Sequence, residues 1–178
     1  MHGRINAASA GMRKSGPCRV PTHRCRVCHL GAAMIALIQR VSWAQVKIEA
    51  NLHAEIGPGL LAFIGIEKAD SQVNADKLLG KILAYRVFAD AEHKMNLDLK
   101  SIDGGLMLVS QFTLAAATDK GLRPSFSSAK PPKEAEQIYN YLVSQAEEKH
   151  QLVRSGQFAA NMQIALENDG PVTFILNA

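Results

Sequence analysis

Near the C-terminus two strand-like runs, Met162 to Leu166 and Val172 to Leu176, flank the stretch Asn168-Asp169-Gly170-Pro171. This Gly-Pro pair constrains the fold more than any other feature of the chain. Proline donates no N–H and fixes its own φ, while glycine allows positive φ, so a regular ladder cannot run through the pair. X-Pro is also the one bond at which a cis peptide is cheap. The pair can therefore aim carbonyl oxygens in a direction that ordinary strands cannot. A second stretch of the same kind, Ser110-Gln111-Phe112-Thr113-Leu114, follows the apolar run Leu106 to Val109. Each stretch puts polar or conformationally special residues at the end of a strand-like segment.

The remaining pattern predicts many strands and two helices. Ile35 to Val41 and Ala44 to Ala50 read as strands with a bend at Ser42-Trp43. Gly57-Pro58-Gly59 reads as a turn, and Leu60 to Ile66 as a buried strand. Asp70-Ser71 offers an N-cap to an amphipathic helix over 71–88, with Leu78, Leu79, Ile82, Leu83 and Val87 at helical spacing. Asn96 to Ile102 and Gly105 to Phe112 read as strands joined by an Asp103-Gly104 hairpin. Residues 115–130, with Lys120, Arg123 and Lys130, read as a surface loop. Pro131-Pro132 opens a second helix to about His150, with Ala135, Ile138, Leu142 and Ala146 on its apolar side. Ser155-Gly156 reads as a turn before the last two strands. This pattern predicts an α+β fold, a barrel-like sheet with two helices in a single domain.

Charge divides the chain in two. The 178 residues carry a net +4, but residues 1–33 hold six basic side chains and no Asp or Glu. Residues 34–178 keep 14 basic against 16 acidic groups, so any RNA contact by the body must come from local clusters. Cys18, Cys25 and Cys28 all lie in the basic extension, and a cysteine-free body suits a reducing cytosol. Cys25-Arg26-Val27-Cys28-His29 matches a haem-attachment pattern, and with Cys18 it offers weak zinc-ligand spacing. The extension is expected to be disordered or to precede the true start, with targeting and metal or haem binding as the alternatives. Residues 34–178 are expected to form the functional domain. No apolar run approaches a membrane span.

The body lacks a G-x-S-x-G elbow, an H-E-x-x-H helix, a P-loop and a G-x-G-x-x-G turn. His53, His93 and His150 fall in turn-like or helix-end regions and read as surface histidines. Asp90, Glu92, Asp98 and Asp103 read as solvated loop charges. Ser110, Gln111 and Thr113 remain the informative polar cluster. On the residues alone Ser110 and Thr113 are sheet side chains with satisfied hydroxyls, and Thr113 as a nucleophile has no base nearby in sequence.

The two motifs resemble those of the D-aminoacyl-tRNA deacylases. Met34 to Val41, Gly57-Pro58-Gly59-Leu60-Leu61, Lys94-Met95-Asn96-Leu97 and Gly121-Leu122-Arg123-Pro124-Ser125-Phe126 follow that family in order and spacing. The resemblance covers residues 34–178. It departs from the family at His93, where a glycine is common, and at Asn161, where an acidic residue is frequent.

The resemblance implies a β-barrel with external helices, a homodimer, a cytoplasmic location, aminoacyl-tRNA as substrate and no metal or other cofactor. It assigns catalysis to Ser110, Gln111, Phe112 and Thr113. Backbone N–H groups at Gln111 and Phe112, with the Ser110 and Gln111 side chains, would polarise the ester carbonyl. The ribose 2′-OH of the tRNA would help activate water, which would also exclude DNA. Gly170 and Pro171, as a cis peptide in the partner subunit's pocket, would reject L-amino acids by steric exclusion and leave glycine unexcluded. The rival expectation is a non-catalytic dimeric RNA-binding module of the same fold.

Overall fold

The structure, a computed structural model, describes residues 34–118 and 121–178. The 1–33 extension with Cys18, Cys25, Cys28 and His29, and likewise Lys120, for which expectations are given above, lie outside the described residues.

The chain opens with β1 (Ile35–Ile48), then β2 (Asn51–Ile56) and β3 (Gly59–Gly65). Helix α1 (Gln72–Ala84) follows, then a two-stranded β4 (Phe88–Ala89) and β5 (Met95–Leu97). Strand β6 (Gly105–Ser110) leads to a 3-10 turn over Phe112–Ala115. Helix α2 (Pro132–Lys149), β7 (Val153–Ser155) and β8 (Met162–Asn177) complete the fold. The main sheet runs β2-β1-β3-β6-β7, with β8 along the free edge of β1, and curves into a nearly closed barrel-like surface. Two helices and one such sheet make the expected α+β domain.

The two faces of the central strands bury different cores. Leu60, Ala62, Ile64, Leu106 and Leu108 face the helices, against Leu78, Leu79, Ile82, Ile138 and Leu142. Leu61, Met107 and Val109 face the barrel interior with Val41, Ala44 and Val46. Burial on both faces explains why β3 and β6 read as unbroken apolar runs. Tyr139, next to Ile138 on α2, is 2% exposed. Its hydroxyl reaches the carbonyls of Leu108 (2.9 Å) and Gly156 (3.2 Å), tying α2 to β6 and β7.

Several expectations need correction. The bend at Ser42-Trp43 is a bulge inside one continuous strand: Val41 pairs with Asn168 and Trp43 with Glu167, leaving Ser42 extra. Asn51–Ile56 and Val153–Ser155 are strands that the pattern did not reveal; the first is largely exposed and the second has only three residues. Helix α1 ends at Ala84 rather than residue 88. Val87 and Phe88 still reach the core, from an extended segment. Asp103-Gly104 is no hairpin. Asp103 (φ 48°) closes a 3-10 turn over Lys100–Ile102, and β6 enters parallel to β3 and β7. The loop acids organise turns: the Asp90 carboxylate accepts from the Glu92 and Lys94 amides and Asn96, and Asp98 accepts from Ser101. These hydrogen bonds hold both carboxyls below the usual range.

His93 takes φ 61°, which accounts for a glycine suiting this position. His93→Gly is expected to raise stability by about 0.5–1 kcal/mol, because a β-carbon in the left-handed region costs about 1–2 kcal/mol and glycine returns part of that as unfolded-state entropy. Denaturant unfolding of the two chains checks it; an unchanged or lower midpoint contradicts it.

Candidate active site

Strand β6 ends at Ser110 because the chain there leaves the parallel ladder with β3. The Gln111 N–H donates to the Ile64 carbonyl at 2.7 Å, the last bond of that edge. Phe112 then opens the 3-10 turn, so its own N–H lacks an intrahelical acceptor. The expected pair of donors at Gln111 and Phe112 is thus reduced to one, since the Gln111 amide is committed to Ile64. The Gln111 side-chain amide donates to the Thr113 hydroxyl. Among the described residues no histidine or carboxylate hydrogen-bonds to Thr113.

Ser110, Gln111 and Phe112 line a cavity of about 670 Å³. Its walls include Ile64, Ile66, Phe158, Ile164 and the stem of Lys130. Lys130 is anchored through its Nζ to the Lys68 carbonyl at 2.7 Å. At one side the rings of Phe112 and Phe126 stand 5.0 Å apart, and both are substantially exposed. Asn161, the second departure from the family pattern, also lines the cavity. Thr113 does not. Among the described residues no group of three His, Cys, Asp or Glu side chains is placed to hold a metal ion.

Gly170 and Pro171 are elsewhere. They do not reverse the chain as a turn between two strands; β8 continues past them along β1. Asn168 pairs with Val41 and Thr173 with Gln39, so residues 169–172 bulge out opposite Arg40. The Gly170-Pro171 peptide is cis, and Gly170 has φ +133°. A β-carbon on Gly170 would lie 2.6 Å from Val172 Cγ2 and 3.0 Å from the Arg40 guanidinium. Asn168 closes the bulge: its Oδ1 accepts from the Val172 N–H at 2.8 Å, and its Nδ2 donates to Thr173 Oγ1 at 3.0 Å.

Arg40 was not singled out by the sequence, yet it holds this bulge. Its Nε donates to the Asp169 carbonyl and pairs with the Asp169 carboxylate, both at 3.0 Å. Its Nη1 donates to the Val87 carbonyl at 2.6 Å. One planar fork thereby joins β1, the 85–88 segment and the bulge. The available signal was a lone arginine within a strand otherwise rich in apolar residues.

Within the chain the two motifs do not line one cavity: none of residues 169–172 is among the walls named above. Arg40 pairs with Leu60 and Leu60 with Leu106, four residues before Ser110. At about 3.3 Å per residue and 4.8 Å per strand, the bulge lies roughly 20 Å from Ser110 across the sheet.

Residues 37–177 match the family model described as D-Tyr-tRNA(Tyr) deacylase. The chain belongs to this family. A D-aminoacyl-tRNA deacylase of Cellvibrio japonicus is 55% identical over 143 residues, covering 80% of this chain and 98% of the relative. The Burkholderia mallei protein of the same name is 55% identical over 148 residues, covering 80% and 97%. Among solved structures, one titled c-Myc DNA Unwinding Element Binding Protein superposes with TM-score 0.78 at 35% identity, over 81% of this chain and 98% of that one. A probable eukaryotic D-amino acid tRNA deacylase superposes with TM-score 0.71 at 14% identity, over 82% of this chain and all of that one, a likeness of fold. No helix among the described residues is long and apolar enough to cross a membrane.

Arg40→Ala strands the Val87 and Asp169 carbonyls and is expected to destabilise the deacylase by about 1–3 kcal/mol. Arg40→Lys is expected to recover only part of this, because one ammonium cannot reproduce the planar fork. Unfolding midpoints of the two variants check the order; equal midpoints would remove the fork from the account.

Proposed function

We propose that this deacylase hydrolyses the ester of D-aminoacyl-tRNA, and of glycyl-tRNA, at the cavity that Ser110, Gln111 and Phe112 open. The observation that carries the reading is that cavity, with its exposed Phe112–Phe126 pair and a Phe112 N–H that has no acceptor among the described residues, in a chain of the deacylase family. The aromatic pair suits the unstacked terminal adenosine of a tRNA, since single-stranded bases are held by stacking on such rings. The Phe112 N–H, with the Ser110 and Gln111 side chains, meets the ester carbonyl oxygen as charge develops on it. Water adds to the carbonyl carbon, the bond to the ribose oxygen breaks, and that oxygen leaves with a proton as a free hydroxyl. The neighbouring 2′-OH assists the water. This is the route available to a site whose Thr113 hydroxyl is bonded to an amide and not to a base.

Chiral selection falls to Gly170 and Pro171. Their carbonyls face the substrate's α-carbon and leave room for hydrogen but not for an L side chain. Because the bulge lies far from Ser110 in its own subunit, the working site is assembled in a homodimer, each subunit screening the other's cavity. The exposed Phe174 and Ile175 beyond the bulge supply apolar surface for such a contact. The cytoplasm, where tRNA is charged, is the compartment that fits this substrate and the cysteine-free sequence 34–178.

Purified protein is expected to deacylate D-Tyr-tRNA and spare L-Tyr-tRNA, with no loss of rate after chelation. Activity lost to a chelator and restored by zinc would overturn the metal-free route. Thr113→Ala is expected to keep its rate within about tenfold, whereas removal of a preorganised donor costs about 10²–10³. A tRNA ending in 2′-deoxyadenosine is expected to be inert, and an acyl group trapped on Thr113 would reverse the assignment.

The dimer has its own check. Specific activity is expected to fall on dilution in step with the dimer fraction measured by sedimentation. A fully active monomer refutes the shared site.

A further inference from the structure

Asp70 is a buried acidic side chain for which the reaction has no use. It is 4% exposed. Its Oδ2 accepts the Glu67 N–H at 2.7 Å. Its Oδ1 has no hydrogen-bond partner among the described residues. Burial pushes the carboxyl up from its ordinary range, and the Glu67 carboxylate adds to this, while Lys130 opposes it. Lys130 directs its ammonium to the Lys68 carbonyl at 2.7 Å and stands 3.7 Å from the Glu134 carboxylate, and it makes no hydrogen bond to Oδ1.

Met34 stands on this carboxyl. It is fully buried, its carbonyl accepts the Ala178 N–H at 3.1 Å, and its backbone N–H faces Asp70. That amide nevertheless leaves Oδ1 unsatisfied. A secondary amide offers one N–H in a direction set by the chain. A primary ammonium on the same nitrogen offers three donors and a positive charge, and a buried carboxylate is retained when it is paired and hydrogen-bonded.

We propose that Asp70 is a buried receptor for an α-ammonium group, supplied by a form of this protein whose chain begins at Met34. The sequence comparison supports such a form independently. The Cellvibrio relative is spanned to 98% by a 143-residue match that occupies 80% of this chain, so that relative is close in length to residues 34–178. The pairing matters to the cavity. Asp70 closes the turn that begins at Glu67, Glu67 bridges to Ala129, and the Lys130 N–H donates to the Ile66 carbonyl at 3.1 Å. Ile66, Ala129 and Lys130 are all cavity walls.

The pH dependence has a definite sign. In the 178-residue chain the raised carboxyl contributes stability only below its unfolded pKa, and that contribution is lost as pH rises through the folded value. With a free α-amine at Met34 the carboxyl drops below its unfolded value, and its contribution is present above it and lost in acid. The ammonium, raised above its unfolded value of about 7.7–8.0, contributes stability that is lost as pH rises through its folded value.

The experiment compares three chains by thermal unfolding between about pH 6 and pH 10 and by NMR titration of the Asp70 carboxyl and the α-amine. They are the 178-residue chain, the chain beginning at Met34 with a free amine, and the latter N-acetylated. The free amine is expected to raise Tm by roughly 5 °C over the acetylated form at neutral pH, with the gain fading in alkali. Asp70 is expected to titrate above the usual carboxylate range in the 178-residue and acetylated chains, and below it in the free-amine chain. Asp70→Asn is expected to abolish the difference between free and acetylated amines. Equal melting of those two forms, an Asp70 carboxyl that titrates alike in all three, or a gain that survives Asp70→Asn would each overturn the proposal. Should Asp70→Asn fail to fold, the α-amine titration decides: a value at or below the ordinary range is an unpaired amine and ends the proposal. None of these readouts depends on deacylation.

Discussion

Strands β3 and β6 run parallel along the middle of the sheet, and the rest of the molecule hangs on how closely they approach. Gly59 sits directly against Gly105; a β-carbon on Gly59 would fall 2.0 Å from the Gly105 carbonyl oxygen. The Gly105 N–H also donates to the Pro58 carbonyl at 2.9 Å. From that point the two strands share six paired residues, from Gly59 with Gly105 to Ile64 with Ser110. One face carries the helices and the other fills the barrel. The register started by two glycines therefore decides where β6 ends, and with it where Ser110, Gln111 and Phe112 leave the sheet.

The other motif is held by a different device. A four-residue bulge cannot satisfy its own backbone within a ladder, and here side chains do it instead. Asn168 spans the bulge from within, and Arg40 braces it from β1. Arg40 is suited to this because a guanidinium presents several donors in one plane. Its reach to Val87 also explains why α1 stops early: the 85–88 segment must be extended to offer that carbonyl and to bury Val87. Both motifs are thus rigid before any substrate arrives, one cut from the centre of the sheet and the other propped on its edge. The site proposed above would draw on both motifs and use hydrogen-bond donors and carbonyls rather than titrating groups.

Helix periodicity, the apolar runs of β3 and β6, the Pro131-Pro132 helix start and the two motifs were legible because each is written locally. Short contiguous patterns carry them, and burial on one or two faces enforces them. The hairpin read at Asp103-Gly104 failed because turn chemistry says where a chain bends, not which strand it meets next; β6 met β3 and β7 in parallel. Strands β2 and β7 escaped notice for different reasons: four of the six β2 residues are exposed, and β7 has only three residues, too few to show an apolar alternation.

Residues 34–178 by themselves determined the α+β class, the two amphipathic helices, the position of both motifs and, through those motifs, the deacylase family. Tertiary structure alone decided the rest. It committed the Gln111 amide to Ile64, turned the Gly170-Pro171 pair into a bulge on a continuous strand, and assigned Arg40 to brace it. It also buried Asp70 beneath Met34. The physical reason is the same in each case. A hydrogen bond or a buried charge depends on which atom of a distant strand lies within about 3 Å. Residue spacing along the chain carries no record of that distance.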